Sequence, residues 1–144
     1  MDISQNSHFV NSFHDDEKLI FQSKHLLLEL YGCDFDKLND ESFLRCTLSN
    51  SAKLANATVL NLMSNKFEPQ GVTAIALLAE SHLSIHTWPE SGYSAVDIFT
   101  CGQNMEPEIA SNYLIETLMA EEHLMRAIHR NPPKTVYNEL RTIF

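Results

Sequence analysis

The sequence predicts an α+β fold, a two-layer sandwich in which two long helices cover one face of an antiparallel sheet. Several stretches alternate apolar and polar residues and are joined by short turns such as EPQG (68–71) and PESG (89–92). Such short turns can connect only antiparallel strands. Two longer segments repeat apolar residues at helical spacing, and amphipathic helices bury that side against a sheet. With 144 residues, 44% of them hydrophobic, the chain is long enough for one domain with its own core.

The first strand and the first helix follow a polar leader. Residues 1–22 are polar, and we expect them to precede a single domain over 23–144. HLLLELYGC (25–33) is apolar and is ended by Gly32, which favours a strand over a helix. A helix then begins after a cap at Asn39 or Asp40. Its apolar positions recur at helical spacing: Phe43, Leu44, Leu48, Ala52 and Ala55.

Three strands in a meander and a second helix complete the predicted order. The strands are 58–67, then 72–79, which leads straight into HLSIHTW (82–88), and 93–101. Apolar and polar residues alternate in HLSIHTW, which places Leu83 and Ile85 on one face of the strand. The other face carries polar or aromatic residues, namely His82, Ser84, His86 and Trp88. The second long helix is expected from Glu106 to about Arg130, because it is acidic early and basic late. Its apolar stripe is Leu114, Leu118 and Ile128.

Composition argues against several classes of partner. The net charge of −9 opposes the phosphate attraction on which nucleic-acid binding depends. The longest apolar stretch, residues 73–79, is far shorter than the roughly 20 residues that span a bilayer. The N-terminus lacks a basic start followed by an apolar run, so no signal peptide is expected. We therefore expect a cytoplasmic protein without membrane or nucleic-acid partners.

Metal and hydrolase sites fit the residues poorly. His82 and His86 lie four residues apart on a predicted strand, about 13 Å, whereas zinc holds each imidazole nitrogen at about 2.0–2.1 Å. The three cysteines form no CxxC pair, so free thiols and no metal site are expected. Ser81 lacks the GxSxG elbow of serine hydrolases. A thiol protease using Cys101 and His86 remains open on residue types alone.

The Glu80-Ser81 pair allows serine to act on its own backbone. A hydroxyl held close to the preceding carbonyl carbon can convert the amide to an ester when the backbone is strained and a donor stabilises the oxyanion. Removal of the Ser81 α-proton then splits the chain and leads to a pyruvoyl group. His86 is a candidate base if the chain bends near Ser81, since histidine is the most common general base in enzymes. A pyruvoyl carbonyl can condense with a substrate amine and act as an electron sink.

ESHLSIHTWPESGYSAVDIFTCG (80–102) resembles the processing and active-site region of the prokaryotic S-adenosylmethionine decarboxylase proenzymes, including the Glu-Ser pair, HTWPE and FTCG. The resemblance continues more weakly over about 24–110, through KHLLLELYGC and FEPQGVT. It implies a pyruvoyl cofactor derived from Ser81, S-adenosylmethionine as substrate and a role in spermidine biosynthesis. It also implies an (αβ)2 dimer in which two sheets pack face to face as an αββα arrangement.

The resemblance implies roles in processing and catalysis. Cleavage between Glu80 and Ser81 would give a β chain of residues 1–80 and an α chain that begins with pyruvoyl at 81. His86 would assist processing, and Thr73 would support the oxyoxazolidine intermediate. Cys101 would return a proton to the substrate α-carbon after CO2 leaves.

The resemblance also implies a substrate pocket. Phe67 would stack on the adenine ring, Glu90 would hold the ribose hydroxyls, and Leu83 would line the pocket. Asn65 stands where the family often has histidine. The polar pocket changes around Asn65 and Glu68 leave a pyruvoyl-dependent arginine or ornithine decarboxylase as an alternative. A homologue that has lost activity and serves as a regulatory partner is the third hypothesis.

Overall fold

The computed structural model describes residues 23–101 and 104–130. The predicted leader (1–22) and the tail from 131 onward lie outside the described residues. The strands are β1 (Ser23–Tyr31), β2 (Val59–Lys66), β3 (Val72–Leu78), β4 (Ser81–Trp88), β5 (Tyr93–Cys101) and β6 (Glu122–Arg130). The helices are α1 (Phe35–Leu38), α2 (Glu41–Leu54) and α3 (Pro107–Thr117), with a 3-10 turn at Pro89–Ser91.

The strands form one antiparallel sheet in the order β2-β3-β4-β5-β1-β6. Helix α2 packs against β2 and β3, and α3 packs against β5 and β1. The core lies between the sheet and these two helices. Its largest fully buried side chains are Leu26, Leu28, Leu30, Leu38, Leu44, Leu48, Leu83, Ile85, Ile98, Leu114, Leu118 and Val72. The two-layer arrangement with two helices on one face is therefore confirmed.

Local chemistry explains where α2 begins. Asp40 is the residue that caps it, since the Asp40 carboxylate accepts a hydrogen bond from the Phe43 N–H at 2.9 Å. Leu44, Leu48 and Ala52 follow at helical spacing and are fully buried. The predicted cap and the predicted apolar face are both confirmed.

The meander contains four strands rather than three. The stretch predicted to run from 72 into HLSIHTW divides at Ala79 and Glu80, which form a turn between β3 and β4. Ala79 is held there by its N–H, which donates to the Thr58 carbonyl at 3.0 Å. The chain thus reverses direction directly before Ser81.

The second long helix is shorter than predicted. Helix α3 ends at Thr117, and Met119 follows at φ 55°, a left-handed conformation that ends a helix. Residues 122–130, predicted as helix, form β6 instead, because pairing from Tyr31↔Glu122 to Ser23↔Arg130 satisfies the outer backbone groups of β1. Leu114 and Leu118 lie in the core as predicted, but Ile128 lies on β6 and is 46% exposed.

The sheet face opposite the helices carries no helix in the described part of the chain, and we call it the open face. It exposes apolar side chains, among them Met63, Ile75, Leu77 and Trp88. In its middle, two carboxylates are paired: His25 Nε2 lies 2.9 Å from Asp97 Oδ1, and the Tyr93 hydroxyl donates to Glu29. That hydrogen bond raises the pKa of Tyr93 to about 12, so Tyr93 stays protonated. None of the described helices is long and apolar enough to cross a membrane.

Candidate active site

The candidate residues fall into two groups at opposite ends of β4. Glu80, Ser81 and Cys101 lie where β4 starts and β5 ends, and we call this group the cleavage end. The other group, the histidine end, lies where β4 ends and contains Thr73, His86, Phe67 and Glu90.

At the cleavage end, the carbonyl before Ser81 is already polarised. The Cys101 N–H donates a hydrogen bond to the Glu80 carbonyl oxygen at 2.9 Å. An N–H aimed at this oxygen stabilises negative charge that develops on it during attack on the carbonyl carbon. Cys101 therefore contributes its backbone to this end of the site, in addition to an exposed thiol.

The backbone of Ser81 is unusual. Its φ of 157° lies outside the regions that non-glycine residues commonly adopt. Such a conformation costs about 1–3 kcal/mol and persists only where the surroundings enforce it. The enforcement comes from both sides, because Ser81 pairs with Leu78 on β3 and with Thr100 on β5. The strained torsion thus adjoins the peptide bond that self-cleavage would break.

The side chain of Glu80 fixes the residue that precedes the Glu80–Ser81 bond. Glu80 Oε2 accepts a hydrogen bond from the Thr58 N–H at 3.0 Å, just before β2 starts. Since Thr58 also binds Ala79 through its carbonyl, one residue clamps the whole turn. Thr58 is a functional residue without a sequence signal, because an ordinary threonine between a helix and a strand does not indicate such a role.

At the histidine end, Thr73 orients His86. The two residues lie directly opposite each other on β3 and β4, and Thr73 Oγ1 is 3.0 Å from His86 Nδ1. This bond occupies Nδ1 and leaves Nε2 as the ring nitrogen available for proton transfer. Asn65 pairs with Thr73 from β2 and therefore borders the same end.

Phe67 and Glu90 approach the histidine end on two adjoining turns. The Phe67 N–H donates to the Gly71 carbonyl at 2.8 Å, which closes the turn that begins with Phe67. Gly71 has φ 102°, and a Cβ there would lie 3.0 Å from the Thr87 carbonyl, so the turn needs glycine. Within this turn Gln70 Nε2 donates to Glu90 Oε2 at 3.2 Å and joins the two segments. Phe67, with 49% of its surface exposed, is free to contact a ligand.

Leu83 lies apart from both groups. Its side chain is fully buried in the core on the helix side of the sheet, whereas His86 belongs to the open face. A pocket-lining role for this side chain does not match that position. Alternation along a strand already places Leu83 and His86 on opposite faces.

The two ends are too far apart to act on one another within one chain. The chain turns at Ala79 and Glu80, but β4 then continues without interruption from Ser81 to Trp88. Five residues at about 3.3 Å each separate Ser81 from His86 by about 16 Å. The condition under which His86 would serve Ser81 of the same chain, a bend between them, is therefore not met.

The cysteines differ in availability. Burial raises the pKa of the Cys33 thiol to about 11, which keeps it protonated and unreactive. Cys46 is exposed on α2, away from the sheet's open face. Cys101 is exposed at the cleavage end. In residues 23–101 and 104–130, no three His, Cys, Asp or Glu side chains come together as a metal site.

Comparisons with known proteins assign this arrangement to a family. The family model for S-adenosylmethionine decarboxylase matches residues 24–131. The S-adenosylmethionine decarboxylase proenzyme of Prochlorococcus marinus strain MIT 9313 is 56% identical over 118 residues, covering 82% of this chain and 94% of the relative. That of Synechococcus strain WH7803 is 56% identical over 119 residues, with 83% and 93% covered.

A solved structure agrees with the sequence relatives. The crystal structure of the adenosylmethionine decarboxylase from Aquifex aeolicus VF5 has a TM-score of 0.73 and 36% identity to this chain. The match covers 78% of this chain and 93% of that one. With the family model and these relatives spanning most of its length, the chain belongs to the S-adenosylmethionine decarboxylase family.

Proposed function

We propose that the chain is a self-processing decarboxylase that converts S-adenosylmethionine to CO2 and decarboxylated S-adenosylmethionine. The decarboxylated product is the aminopropyl donor of spermidine biosynthesis. A pyruvoyl group made from Ser81 is its prosthetic group. Family membership supports the reaction. The hydrogen bond from the Cys101 N–H to the carbonyl that precedes the strained Ser81 is the observation that carries the proposal.

Self-cleavage starts with an N-to-O acyl shift. Ser81 Oγ forms a bond to the Glu80 carbonyl carbon, and the Cys101 N–H stabilises the oxygen that becomes negative. The C–N bond then breaks, and the hydroxyl proton ends on the freed nitrogen of Ser81. The product is an ester, and breaking the amide also releases the strain held at Ser81.

Elimination completes the processing. A base removes the Ser81 α-proton, the ester C–O bond on the serine side breaks, and Glu80 leaves as a carboxylate at the end of the β chain, residues 1–80. Water then replaces the nitrogen of the remaining dehydroalanine, and ammonia is released. The α chain, residues 81–144, begins with the pyruvoyl group. Both chains remain in the single domain over 23–144.

The base comes from a second copy of the chain in an (αβ)2 dimer. In this dimer two sheets face each other, and the two-fold axis lies in the plane between them. The axis runs perpendicular to the strands and passes near the middle of β4. The strands of the second copy therefore run in the opposite direction. The cleavage end of one subunit then faces the histidine end of the other across the roughly 10 Å that separates packed sheets. His86 of the partner subunit then approaches the Glu80–Ser81 peptide from the open face, and Thr73 of the partner subunit orients that histidine and supports the oxyoxazolidine intermediate.

The open face suits such a dimer. Its exposed apolar side chains, Ile75, Leu77 and Trp88 among them, give the hydrophobic contact. Its central carboxylates on Asp97 and Glu29 are paired within the subunit, so they can be buried with partners in place. The result is the αββα arrangement with two shared sites.

In each shared site, different residues contact different parts of the substrate. The pyruvoyl group supplies the electron sink that accepts the carboxylate's electron pair as CO2 leaves. Phe67 of the partner subunit stacks on the adenine ring, and Glu90 of the partner subunit accepts hydrogen bonds from the ribose hydroxyls. Gln70 holds that carboxylate in place. Cys101 lies beside residue 81 and returns a proton to the substrate α-carbon.

The substrate is tested by comparing CO2 release from carboxyl-labelled S-adenosylmethionine, arginine and ornithine. We expect release from S-adenosylmethionine alone, because a stacking phenylalanine and a diol-binding carboxylate match a nucleoside. Preferred release from either amino acid would contradict the substrate assignment and favour the alternative based on Asn65 and Glu68. Absence of release from all three, with an uncleaved chain, would favour an inactive homologue.

A further inference from the structure

Thr100 carries a buried hydroxyl without a hydrogen-bond partner. Its side chain is 3% exposed, and among residues 23–101 and 104–130 no group hydrogen-bonds to its Oγ1. Proteins rarely leave a buried hydroxyl unpaired, because it loses its bonds to water without replacement. Valine has the same shape and would fill this position without that cost. The hydroxyl therefore calls for a role.

The position of Thr100 suggests that role. In the β4–β5 pairing Thr100 lies directly opposite Ser81. Side chains directly opposite each other in an antiparallel pair have Cβ atoms about 4.5–5.5 Å apart. Rotation about χ1 in one or both residues brings two hydroxyls from that separation to hydrogen-bond distance. The next residue, Cys101, already donates its N–H to the Glu80 carbonyl.

We propose that Thr100 is a positioning residue for self-cleavage, which rests on the proposed cleavage between Glu80 and Ser81. Thr100 Oγ1 accepts a hydrogen bond from the Ser81 hydroxyl and directs a lone pair of Ser81 Oγ toward the Glu80 carbonyl carbon. As the new C–O bond forms and the C–N bond breaks, the proton passes to the leaving nitrogen. Thr100 thus aligns the nucleophile while Cys101 holds the carbonyl that it attacks.

The same strand offers a matched control. Ser94 is also fully buried, and its hydroxyl likewise has no partner within the described ranges. It lies opposite Thr87, six residues along β4 from Ser81. An effect common to unpaired hydroxyls on β5 would appear in both residues, whereas an effect on cleavage should appear in Thr100 alone.

The test is a pulse-chase of full-length chains made by cell-free translation, with the cleaved fraction followed on denaturing gels. We expect Thr100→Val to cleave about tenfold more slowly than the unsubstituted chain, since a lost hydrogen bond to the nucleophile raises the barrier. Thr100→Ser, which keeps the hydroxyl, should cleave within about threefold of it. Ser94→Ala should cleave at the unsubstituted rate.

Thermal unfolding of the same variants separates positioning from folding. Thr100→Val should unfold at the same or a higher temperature, because Oγ1 has no hydrogen-bond partner in the described resting conformation and valine keeps the volume of the side chain. Thr100→Ser should unfold at a lower temperature, because it loses a buried methyl group. Cleavage would then fall in the more stable variant and persist in the less stable one.

Two results would overturn the inference while leaving the proposed function intact. The first is a Thr100→Val chain that cleaves as fast as the unsubstituted chain. The second is a slow Thr100→Val chain that also unfolds at a clearly lower temperature, which would make the hydroxyl structural. Failure of the unsubstituted chain to cleave would instead refute the proposed self-cleavage itself.

Discussion

Replacing Ser81 with alanine is expected to leave the chain in one piece and to abolish CO2 release from S-adenosylmethionine. Alanine has no hydroxyl to attack the Glu80 carbonyl and cannot yield a pyruvoyl group. The loss should reach a factor of about 10³ or more, as for other enzymes that lose their nucleophile. Denaturing gels report the cleavage, and trapped label from carboxyl-labelled substrate reports the decarboxylation.

Ser84→Ala is the control for this substitution. Ser84 lies on the same strand, is buried and stands three residues from Ser81. Its hydroxyl lies 3.5 Å from Asp97 Oδ2, which is too long for a strong hydrogen bond. The Ser84→Ala chain should be cut normally and stay active. Cleavage or CO2 release by Ser81→Ala would refute the role of Ser81.

Two inactive variants are expected to restore each other when they are made in the same cell. If His86 acts across the dimer, a His86→Ala chain keeps its own Ser81 but lacks a base in its partner. Pairing with a Ser81→Ala chain supplies that base, because the second variant retains His86. With equal expression about half of the His86→Ala chains fall into mixed dimers and should be cut. Each mixed dimer has one intact site, so activity should recover to about a quarter of the unsubstituted level.

Differently tagged chains make this experiment readable on one gel. The His86→Ala chain expressed alone should stay uncut. A partner carrying both Ser81→Ala and His86→Ala is the control and should rescue nothing. If His86 instead served its own chain, the His86→Ala chain would remain uncut with every partner, and the shared site would be refuted.

Local sequence signals were sufficient for most of the fold. The Asp40 cap, the buried stripe of α2 and the alternation in HLSIHTW each depend on neighbours a few residues away. Such short-range patterns can be read directly from the chain. The turn at Ala79 and Glu80 was missed because neither residue is a typical turn former, and contacts with Thr58 hold it instead.

The strand β6 could not be predicted from the same kind of signal. All nine of its residues are exposed, so EHLMRAIHR shows no contrast between a buried and a solvated face. The helix before it ends at Thr117, and the left-handed residue that follows is Met119 rather than a glycine. Long-range pairing with β1 decides the structure of this segment, and such pairing overrides local propensity.

The sequence names candidate residues for the site but does not give their arrangement. The resemblance implies roles for Ser81, His86 and Cys101, and their distances depend on whether β4 bends. Only the structure gives the continuous strand that separates Ser81 from His86. Thr100 has no sequence signal, because a sequence does not show that a hydroxyl is buried without a hydrogen-bond partner in the described structure.

The intact mass of the purified protein under denaturing conditions shows directly whether the chain cleaves itself. Two chains that divide between Glu80 and Ser81 are expected. The second chain should be lighter by one ammonia than a chain beginning with serine, and its N-terminus should be blocked to sequencing. A single chain with the full mass of the sequence would contradict self-processing, and a second chain that begins with an unmodified serine would contradict the pyruvoyl group.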